Sequence, residues 1–305
     1  MSEKTPLVSV VMPVFNAAPF LDEAIESILQ QTFSKFELII INDGSTDSSF
    51  ELLQKWEKAD QRIRLFDQQN QGRSLTRNRG LVVATTDFVA MMDADDISLN
   101  DRLEICYDYL KNNLNVVAVS GQCESMCMHG IPVHVSSIPL GHNEIEQSLL
   151  QDNGNDFAQG ASMMRKKIAL AVGGYNRDYE MGEDADLFLR MALKGELVNL
   201  PKIFLRYRQH PRSITNIADK KLIANCIKRL EGSWADRGLT LDNDFEHWLE
   251  NNPEKKEYQS LLSWGWNALG KGRVDISRRY AKKLILYEPF NLEVWRFIFC
   301  VIRGR

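Results

Sequence analysis

No part of the 305-residue sequence is an uninterrupted apolar run of the roughly 20 residues that a membrane-spanning helix needs. Cysteine is scarce: the five cysteines are irregularly spaced and form no CxxC pair, so reduced thiols are expected rather than a disulfide framework. Positive charge is not in excess, since the formal net charge is −4, and a nucleic-acid partner is not favoured. The polar residues 1–6 lead directly into a predicted strand, and we expect no signal peptide. These features predict a soluble, cytoplasmic protein.

The composition, with 44% hydrophobic and 26% charged residues, is that of an ordinary globular protein. The length allows one large domain and a smaller appendage. Charge is unevenly distributed, because basic residues clearly outnumber acidic ones from residue 255 onward. The main body is therefore acidic and the tail basic.

Predicted strands and helices alternate through the first hundred residues. Continuous apolar runs predict strands at 7–14, 36–41, 63–66 and 88–92. Helical spacing predicts three helices. The first spans 20–29 with Asn16 as its cap, the second follows the turn at 43–47 and ends at 56, and the third spans 74–84. This alternation predicts a parallel sheet flanked by helices. The second half is less regular, with strands expected near 116–120, 132–137 and 157–164, a helix at 184–193, and helices from about 217 to the end.

Three predicted strands end in polar residues, at 13–16, 42–45 and 93–96. Ligands of such sheets bind beyond the carboxyl ends of the strands, so we expect a site there. Asp93 and Asp95 follow the fourth strand, and two carboxylates at this spacing suit Mg²⁺ or Mn²⁺. The alternative is a solvated turn that caps the next helix, with Asp96 as the favoured cap.

Asp43, at the end of the second strand, is placed to accept a hydrogen bond from the imide of a base. The alternative is a plain helix-capping turn, with Asp47 or Ser45 as the cap. Three arginines follow in the next helix, Arg73, Arg77 and Arg79, and guanidinium groups suit phosphate or a uracil carbonyl. For Arg73 and Arg79 a solvated helix face is the favoured interpretation.

Glu183 and Asp184 open a predicted helix, where a carboxylate in a cleft suits a general base. Asp186 and Arg190 are four residues apart and are expected to form an ion pair. His210 becomes a metal-ligand candidate only if the fold brings it near Asp95.

Taken in order, these motifs resemble the family-2 glycosyltransferases of the GT-A fold over residues 8–213. The motifs are Pro13-Val14-Phe15-Asn16, Asn42-Asp43-Gly44-Ser45-Thr46-Asp47, Asn70-x-Gly72, Arg77-Asn78-x-Gly80, Asp93-Ala94-Asp95-Asp96, Gly173-Gly174-Tyr175, Glu183-Asp184-x-Asp186-Leu187 and Tyr207-Arg208-x-His210. The resemblance implies an α/β GT-A catalytic domain at 1–216, with a nucleotide-binding half to about 97 and an acceptor half from about 98, followed by a helical region at 217–305.

The resemblance also implies roles for single residues. Phe15 would lie against uracil, Asp43 would bind the imide and Asp93 would contact the ribose, with further donor contacts from Pro13, Asn16, Arg77 and Ala94. The family often has tyrosine at the position of Phe15, and phenylalanine keeps the aromatic ring. Whether Arg77 meets the base or a phosphate is open.

On the catalytic side, the resemblance implies that Asp95 binds the Mn²⁺ or Mg²⁺ that bridges the diphosphate, and that His210 completes its shell. Asp184 would deprotonate the acceptor for inverting attack, with Glu183 and Gly160 in supporting positions. The expected donor is a UDP-sugar, and the expected acceptor is a surface glycan or lipid-linked saccharide.

Two interpretations of the basic tail stay open: peripheral contact with an anionic membrane surface through the aromatic, arginine-flanked residues 295–299, or packing against the catalytic domain. A non-catalytic nucleotide-sugar or glycan-binding protein is the alternative from another class. A haloacid-dehalogenase-like phosphotransferase is disfavoured, because Ile97 replaces the expected threonine or valine and three strands precede Asp93. A nicotinamide-dependent dehydrogenase is disfavoured because no GxGxxG follows the first strand.

Overall fold

The computed structural model describes residues 5–151, 156–179, 181–211, 213, 220–238 and 257–304, with the side chains of 220–227 excepted. The chain forms two compact units. The first comprises Met1–Cys123, Ser136–Tyr207 and Ala224–Asn243, and the second Glu124–Val135, Arg208–Ile223 and Asp244–Arg305. The predicted domain boundary at 216/217 lies outside the described residues and stays a prediction.

Strands and helices alternate at the start of the chain, as the sequence predicts. The elements are β1 (Val8–Val14), α1 (Leu21–Leu29), β2 (Phe36–Asp43), α2 (Ser49–Ala59), β3 (Ile63–Gln68), α3 (Arg73–Val83) and β4 (Phe88–Met91). Strand β1 lies between β2 and β4, and all pairings among β1–β4 are parallel. The parallel half of the predicted sheet is therefore confirmed.

The rest of the chain adds shorter and antiparallel elements. They are β5 (Ile97–Ser98), α4 (Arg102–Asn112), β6 (Val116–Cys127), β7 (Pro132–Val135), α5 (His142–Leu150), β8 (Met163–Arg165), α6 (Lys166–Ala171), α7 (Glu183–Ala192), β9 (Glu196–Gln209), α8 (Lys220–Ala235), α9 (Glu257–Gly270), α10 (Val274–Tyr287) and α11 (Leu292–Arg303). The order along the sheet is β3-β2-β1-β4-β8-β6-β9-β5, and β7 pairs with β6. Strand β8 is antiparallel to β4 and β6, so the sheet is mixed.

The predicted strand at 157–164 is wrong in its first part. Residues Gln159–Ala161 form a short 3₁₀ turn, and the strand begins only at Met163. The Gly160 carbonyl accepts a hydrogen bond from the buried Arg102 guanidinium, a partner that no sequence pattern indicates. The turn is thus held by a contact from α4 rather than by strand pairing.

Strand β1 is buried on both faces, which explains its continuous apolar sequence. Val10 and Met12 belong to the apolar cluster that contains Ile25 of α1. Val11 points to the opposite face and joins the cluster that contains Leu81 of α3. The first unit therefore has helices packed on both sides of its parallel strands.

Gly80 is the point where α3 approaches β1 most closely, because a Cβ there would overlap Val11 Cγ1. We expect Gly80→Ala to lower the free energy of unfolding by about 1–3 kcal/mol, although alanine is the better helix former. Urea unfolding measures the change. Gly270→Ala is the matched control, since a Cβ at Gly270 meets no atom within 4 Å and no loss is expected. Gly80→Ala should cost less when it is made in a Val11→Ala background than in the parent protein; an equal cost in both backgrounds would contradict the overlap.

Asn16 does not cap α1, contrary to the sequence prediction. The helix begins at Leu21, after Phe20, and Asn16 adopts a left-handed backbone conformation with φ of 51°. Its Oδ1 accepts hydrogen bonds from the backbone N–H groups of Thr46 (2.7 Å) and Asp47 (3.3 Å). Asn16 therefore ties the end of β1 to the turn after β2.

Neither predicted cap in that turn is the N-cap residue of α2, which is Ser48, although Asp47 bonds to the first residue of the helix. Asp47 Oδ1 accepts a hydrogen bond from the N–H of Ser49, the first residue of α2 (2.9 Å). Ser45 Oγ instead accepts one from Asn16 N (3.0 Å). Burial alone would raise the pKa of Asp47, but hydrogen bonds from Ser49 and Ala18 outweigh burial, and the net effect is a lowered pKa.

Asp96 does not cap a helix either. Helix α4 begins at Arg102, directly after Asp101, and β5 separates it from the acidic cluster. Asp96 is instead fully buried. The alternative interpretation of this cluster as a solvated capping turn is therefore wrong for Asp96.

In the second unit, α9, α10 and α11 share an apolar core that includes Leu261, Tyr280 and Phe297. The short hairpin of β6 and β7 contributes Cys127, and the Arg273 guanidinium donates to the Pro132 carbonyl. The predicted helical tail is confirmed for the described residues. Among the helices of those residues, none combines the length and the apolar character required to cross a membrane.

Candidate active site

Asp43 lies at the end of β2 and is almost completely buried. Its Oδ1 accepts hydrogen bonds from Gln68 Nε2 (2.7 Å) and from Gln71 N (2.9 Å), and its Oδ2 accepts one from Gly72 N (3.0 Å). Gly72 immediately precedes α3 and has a φ of 85°. Asp43 thus holds the loop that leads into α3, while its contact with a base stays a prediction.

Phe15 follows the last residue of β1, and its side chain is 51% exposed. The neighbouring Asn16 bonds to the turn after β2, so the exposed ring is held beside the carboxyl ends of two parallel strands. Pro13 is paired with Ile41 of β2 and is only partly buried. Ala94 is buried beyond the end of β4.

Arg77 joins the two halves of the predicted site. Its side chain is buried, its Nη2 donates to Asp93 Oδ1 (3.0 Å), and its Nη1 donates to Glu183 Oε1. Its guanidinium also lies over the Tyr175 ring, 5.6 Å from the centroid. Burial alone would lower the pKa of Arg77, but Asp93 and Glu183 outweigh burial and raise it. Helix α3 is thereby linked to the residues after β4 and to the start of α7.

Asp184 is the neighbour of Glu183 in the first turn of α7 and is partly buried. Burial is the main reason that its pKa is raised, the adjacent Glu183 carboxylate adds to this, and Arg77 opposes it. A carboxylate with a raised pKa is a stronger base than an ordinary aspartate. The site therefore contains one carboxylate suited to proton transfer next to one that is fixed in an ion pair.

The predicted ion pair between Asp186 and Arg190 is confirmed, with 2.5 Å between Oδ2 and Nη2. Arg190 also donates to the carbonyls of Gly174 (2.7 Å) and Val172. The pair thus anchors α7 to the loop after α6 rather than only supporting the helix.

Asn78 explains why the Arg77-Asn78 and Gly173-Gly174-Tyr175 motifs occur together. Its Nδ2 donates to the Tyr175 carbonyl (2.7 Å) and its Oδ1 accepts from Tyr175 N (2.8 Å). Gly174 has a φ of 68°, and a Cβ there would overlap Asn78 Oδ1. Tyr175 is buried against Arg77, its hydroxyl accepts from Gln159 Nε2, and its pKa is raised by burial.

Gly160 lies beside the acidic cluster, and its supporting role stays a prediction. A Cβ at this position would lie 3.1 Å from Asp93 Oδ2 and 3.4 Å from Asp96 Oδ2. Behind it, the buried Arg102 donates to the carbonyls of Gly160 and Met91 (3.0 Å to the latter). Sequence reasoning missed Arg102, because an arginine in the first turn of an amphipathic helix is ordinarily solvent-facing. Burial lowers the pKa of Arg102 to about 10, and the nearby carboxylates oppose this.

Asp95 is partly buried between Ala94 and Asp96. Within the described ranges, no group of three or more His, Cys, Asp or Glu side chains is arranged to hold a metal ion. Mg²⁺ commonly takes one or two carboxylates together with the phosphates of its substrate, and Asp95 as its ligand stays a prediction. His210 is buried in the second compact unit, and its backbone N–H donates to Ser213 Oγ (3.4 Å). A contact of its imidazole with the metal at Asp95 stays a prediction.

Comparisons with known proteins agree with these observations. The sequence profile described as "Glycosyl transferase family 2" matches residues 9–173. An uncharacterized glycosyltransferase of Haemophilus influenzae is 31% identical over 227 residues, which are 70% of this chain and 69% of that protein. The uncharacterized glycosyltransferase EpsJ of Bacillus subtilis is 43% identical over 222 residues, which are 70% of this chain and 64% of that protein.

Solved structures show the same fold. Crystal structures of S. aureus TarS 1-349, one in complex with UDP and one with UDP-GlcNAc, match with TM-scores of 0.59 and 0.61. Each match covers 98% of this chain and 92% of the TarS chain, at 16% and 14% sequence identity. At this identity the likeness concerns the fold alone.

Proposed function

Because the chain belongs to the family-2 glycosyltransferases and has their GT-A fold, we propose that it transfers a sugar from a UDP-sugar to an acceptor hydroxyl with inversion. The observation that carries this proposal is the Arg77 bridge between Asp93 and Glu183. It brings the acidic segment after β4, which suits a divalent cation that would bind a donor diphosphate, to the start of α7, which carries Asp184.

For the donor, we propose that the uracil ring lies against Phe15. The ring of Phe15 is half exposed and held at the carboxyl ends of the parallel strands, where nucleotides bind in such sheets. Asp43 supports this site by holding the loop at Gln71 and Gly72, and we propose that it also faces the imide of the base. The TarS structures in complex with UDP and UDP-GlcNAc favour a uridine donor for this fold.

For the metal, we propose Asp95 as the carboxylate that holds Mn²⁺ or Mg²⁺, with His210 as a further candidate ligand. Bound there, the ion would neutralise charge on the leaving diphosphate. Asp93 has a different part in this proposal, since its Oδ1 already accepts from Arg77 and its position suits the ribose.

For the chemistry, we propose that Asp184 accepts the proton of the acceptor hydroxyl. The acceptor oxygen then forms its bond to the anomeric carbon as the bond from that carbon to the diphosphate oxygen breaks, and UDP leaves with the electron pair. Glu183 stays paired with Arg77, while the neighbouring Asp184 carries the raised pKa. The acceptor we propose is a surface glycan or a lipid-linked saccharide on the cytoplasmic side of the membrane, in line with the family resemblance.

Calorimetric titration with UDP and with GDP, each with and without Mn²⁺, tests this site. We expect UDP to bind in a metal-dependent manner and GDP not to bind. Phe15→Ala should weaken UDP binding by roughly tenfold or more, because stacking of one base on an aromatic ring contributes about 1–3 kcal/mol. Phe15→Tyr keeps the ring and should bind like the parent protein.

A panel of UDP-sugars then identifies the donor that turns over. Binding of neither nucleotide, with the protein folded, would contradict the donor site and favour the non-catalytic alternative. Equal binding of UDP and GDP would contradict the uracil contact while leaving the diphosphate site standing.

A further inference from the structure

The end of α10, the turn that follows it and the outer face of α11 carry many exposed apolar side chains. We call this surface the apolar patch; its residues are Leu286, Tyr287, Phe290, Leu292, Trp295, Phe299 and Ile302. Phe290 is 95% exposed and Leu286 is 82% exposed. Trp295 Nε1 donates to the Pro289 carbonyl (2.7 Å), which holds the turn against the helix.

Helix α11 is apolar on both of its faces. Val294, Phe297, Ile298 and Val301 are buried in the core of the second unit. The exposed residues of the patch recur at spacings of three and four along the opposite side, from Leu292 to Ile302. A surface helix of a soluble protein normally has polar residues on its outer side, and a contiguous exposed apolar surface marks an interaction site.

Three exposed basic side chains lie beside the patch, together with the acidic Glu288 and Glu293. Arg296 and Arg303 are exposed on α11, and the Arg303 guanidinium lies over the Phe299 ring, 4.3 Å from its centroid. On α10, Lys282 is exposed one helical turn before Leu286. In all, residues 257–304 hold eight basic residues (Lys271, Arg273, Arg278, Arg279, Lys282, Lys283, Arg296 and Arg303) against four acidic ones (Glu257, Asp275, Glu288 and Glu293). The whole chain, by contrast, has a net charge of −4.

We propose that the apolar patch docks the protein on an anionic lipid surface. The aromatic and aliphatic side chains of the turn enter the headgroup boundary, and the neighbouring arginines and lysine meet lipid phosphates. The excess of basic over acidic side chains, beside the patch and in residues 257–304 as a whole, favours this occupant over a second copy of the chain, because two net-positive surfaces would repel each other. The proposal concerns binding alone and does not depend on the sugar-transfer proposal.

Flotation of the full-length protein with lipid vesicles tests the proposal. Vesicles of equal parts phosphatidylcholine and phosphatidylglycerol are compared with vesicles of pure phosphatidylcholine, at low and at high salt. We expect binding to the anionic vesicles, weakened by salt. Leu286→Ser with Phe290→Ser should lower the partition coefficient by about tenfold or more, because buried apolar area is lost. Lys282→Gln with Arg296→Gln should lower it by roughly fivefold for each charge removed.

Leu114→Ser is the matched control, because Leu114 is also 82% exposed but belongs to the first unit. It should bind vesicles like the parent protein. Circular dichroism melting checks that every variant is folded, and light scattering reports its oligomeric state. Absence of vesicle binding, or binding that the Leu286 and Phe290 changes leave intact, would overturn the proposal. A parent dimer that these changes convert to a monomer, without lipid binding, would instead assign the patch to a second copy.

Discussion

Replacing Asp184 by asparagine is expected to lower turnover by roughly 10²–10⁴-fold, the range that general-base catalysis contributes. The amide keeps the size of the side chain but cannot take a proton from the acceptor hydroxyl. Because Asp184 is not among the residues proposed to hold UDP, the affinity for UDP should stay unchanged. Turnover is measured as UDP release, and affinity by calorimetric titration.

Asp87→Asn is the matched control, because Asp87 is an exposed aspartate of the same unit outside the site. It should keep full turnover. Since burial and Glu183 raise the pKa of Asp184, the acid limb of the pH–rate profile should lie at higher pH than for an ordinary aspartate, and turnover should fall as pH falls through it. Full turnover by the Asp184→Asn variant would remove Asp184 from the proposed mechanism and leave the donor site unaffected.

The strand ends that build the site could be predicted because β1, β2 and β4 are continuous apolar runs, each buried and each followed by polar residues. In these strands the apolar pattern that predicts the strand is also the reason that the strand is buried in the core. Strand β9 was not predicted, because Pro201 interrupts its apolar pattern and a proline normally argues against a strand. Local pattern therefore predicted the parallel half of the sheet better than the antiparallel half.

Single residues of the site show the same division. The position of Asp93 follows from its place after β4, whereas its pairing with Arg77 depends on how α3 packs on the sheet, which Gly80 permits. Arg102 is beyond sequence reasoning for a related reason. Its partners are the backbone carbonyls of Met91 and Gly160. Every residue has a backbone carbonyl, so the residue types at these positions do not indicate the contact. The partners of these side chains therefore depend on contacts between segments far apart in sequence, which a local sequence pattern does not indicate.

Removal of Arg77 should be among the most destabilising single changes in the first unit. Arg77→Met is expected to lower the free energy of unfolding by about 3–5 kcal/mol, because the partly buried Asp93 loses its cation and the buried Glu183 keeps only the more distant Arg73 (3.5 Å). Urea unfolding measures this loss. Arg79→Met is the matched control on the same helix: Arg79 bonds to Gln68 Oε1 and the Asp67 carbonyl, so its loss leaves no carboxylate unpaired and should cost only about 1 kcal/mol.

A double-mutant cycle with Glu183→Gln separates the ion pair from simple packing. Glu183→Gln in the Arg77→Met background should restore part of the stability, because a neutral amide replaces a buried charge that has lost the nearer of its two cations. Arg77 also lowers the pKa of Asp184, so in the Arg77→Met variant the acid limb of turnover should move to still higher pH. Strictly additive losses in the cycle, with an unmoved pH profile, would mean that Arg77 only fills space. The expected coupling would instead show that one guanidinium both stabilises two carboxylates of the first unit and lowers the pKa of Asp184.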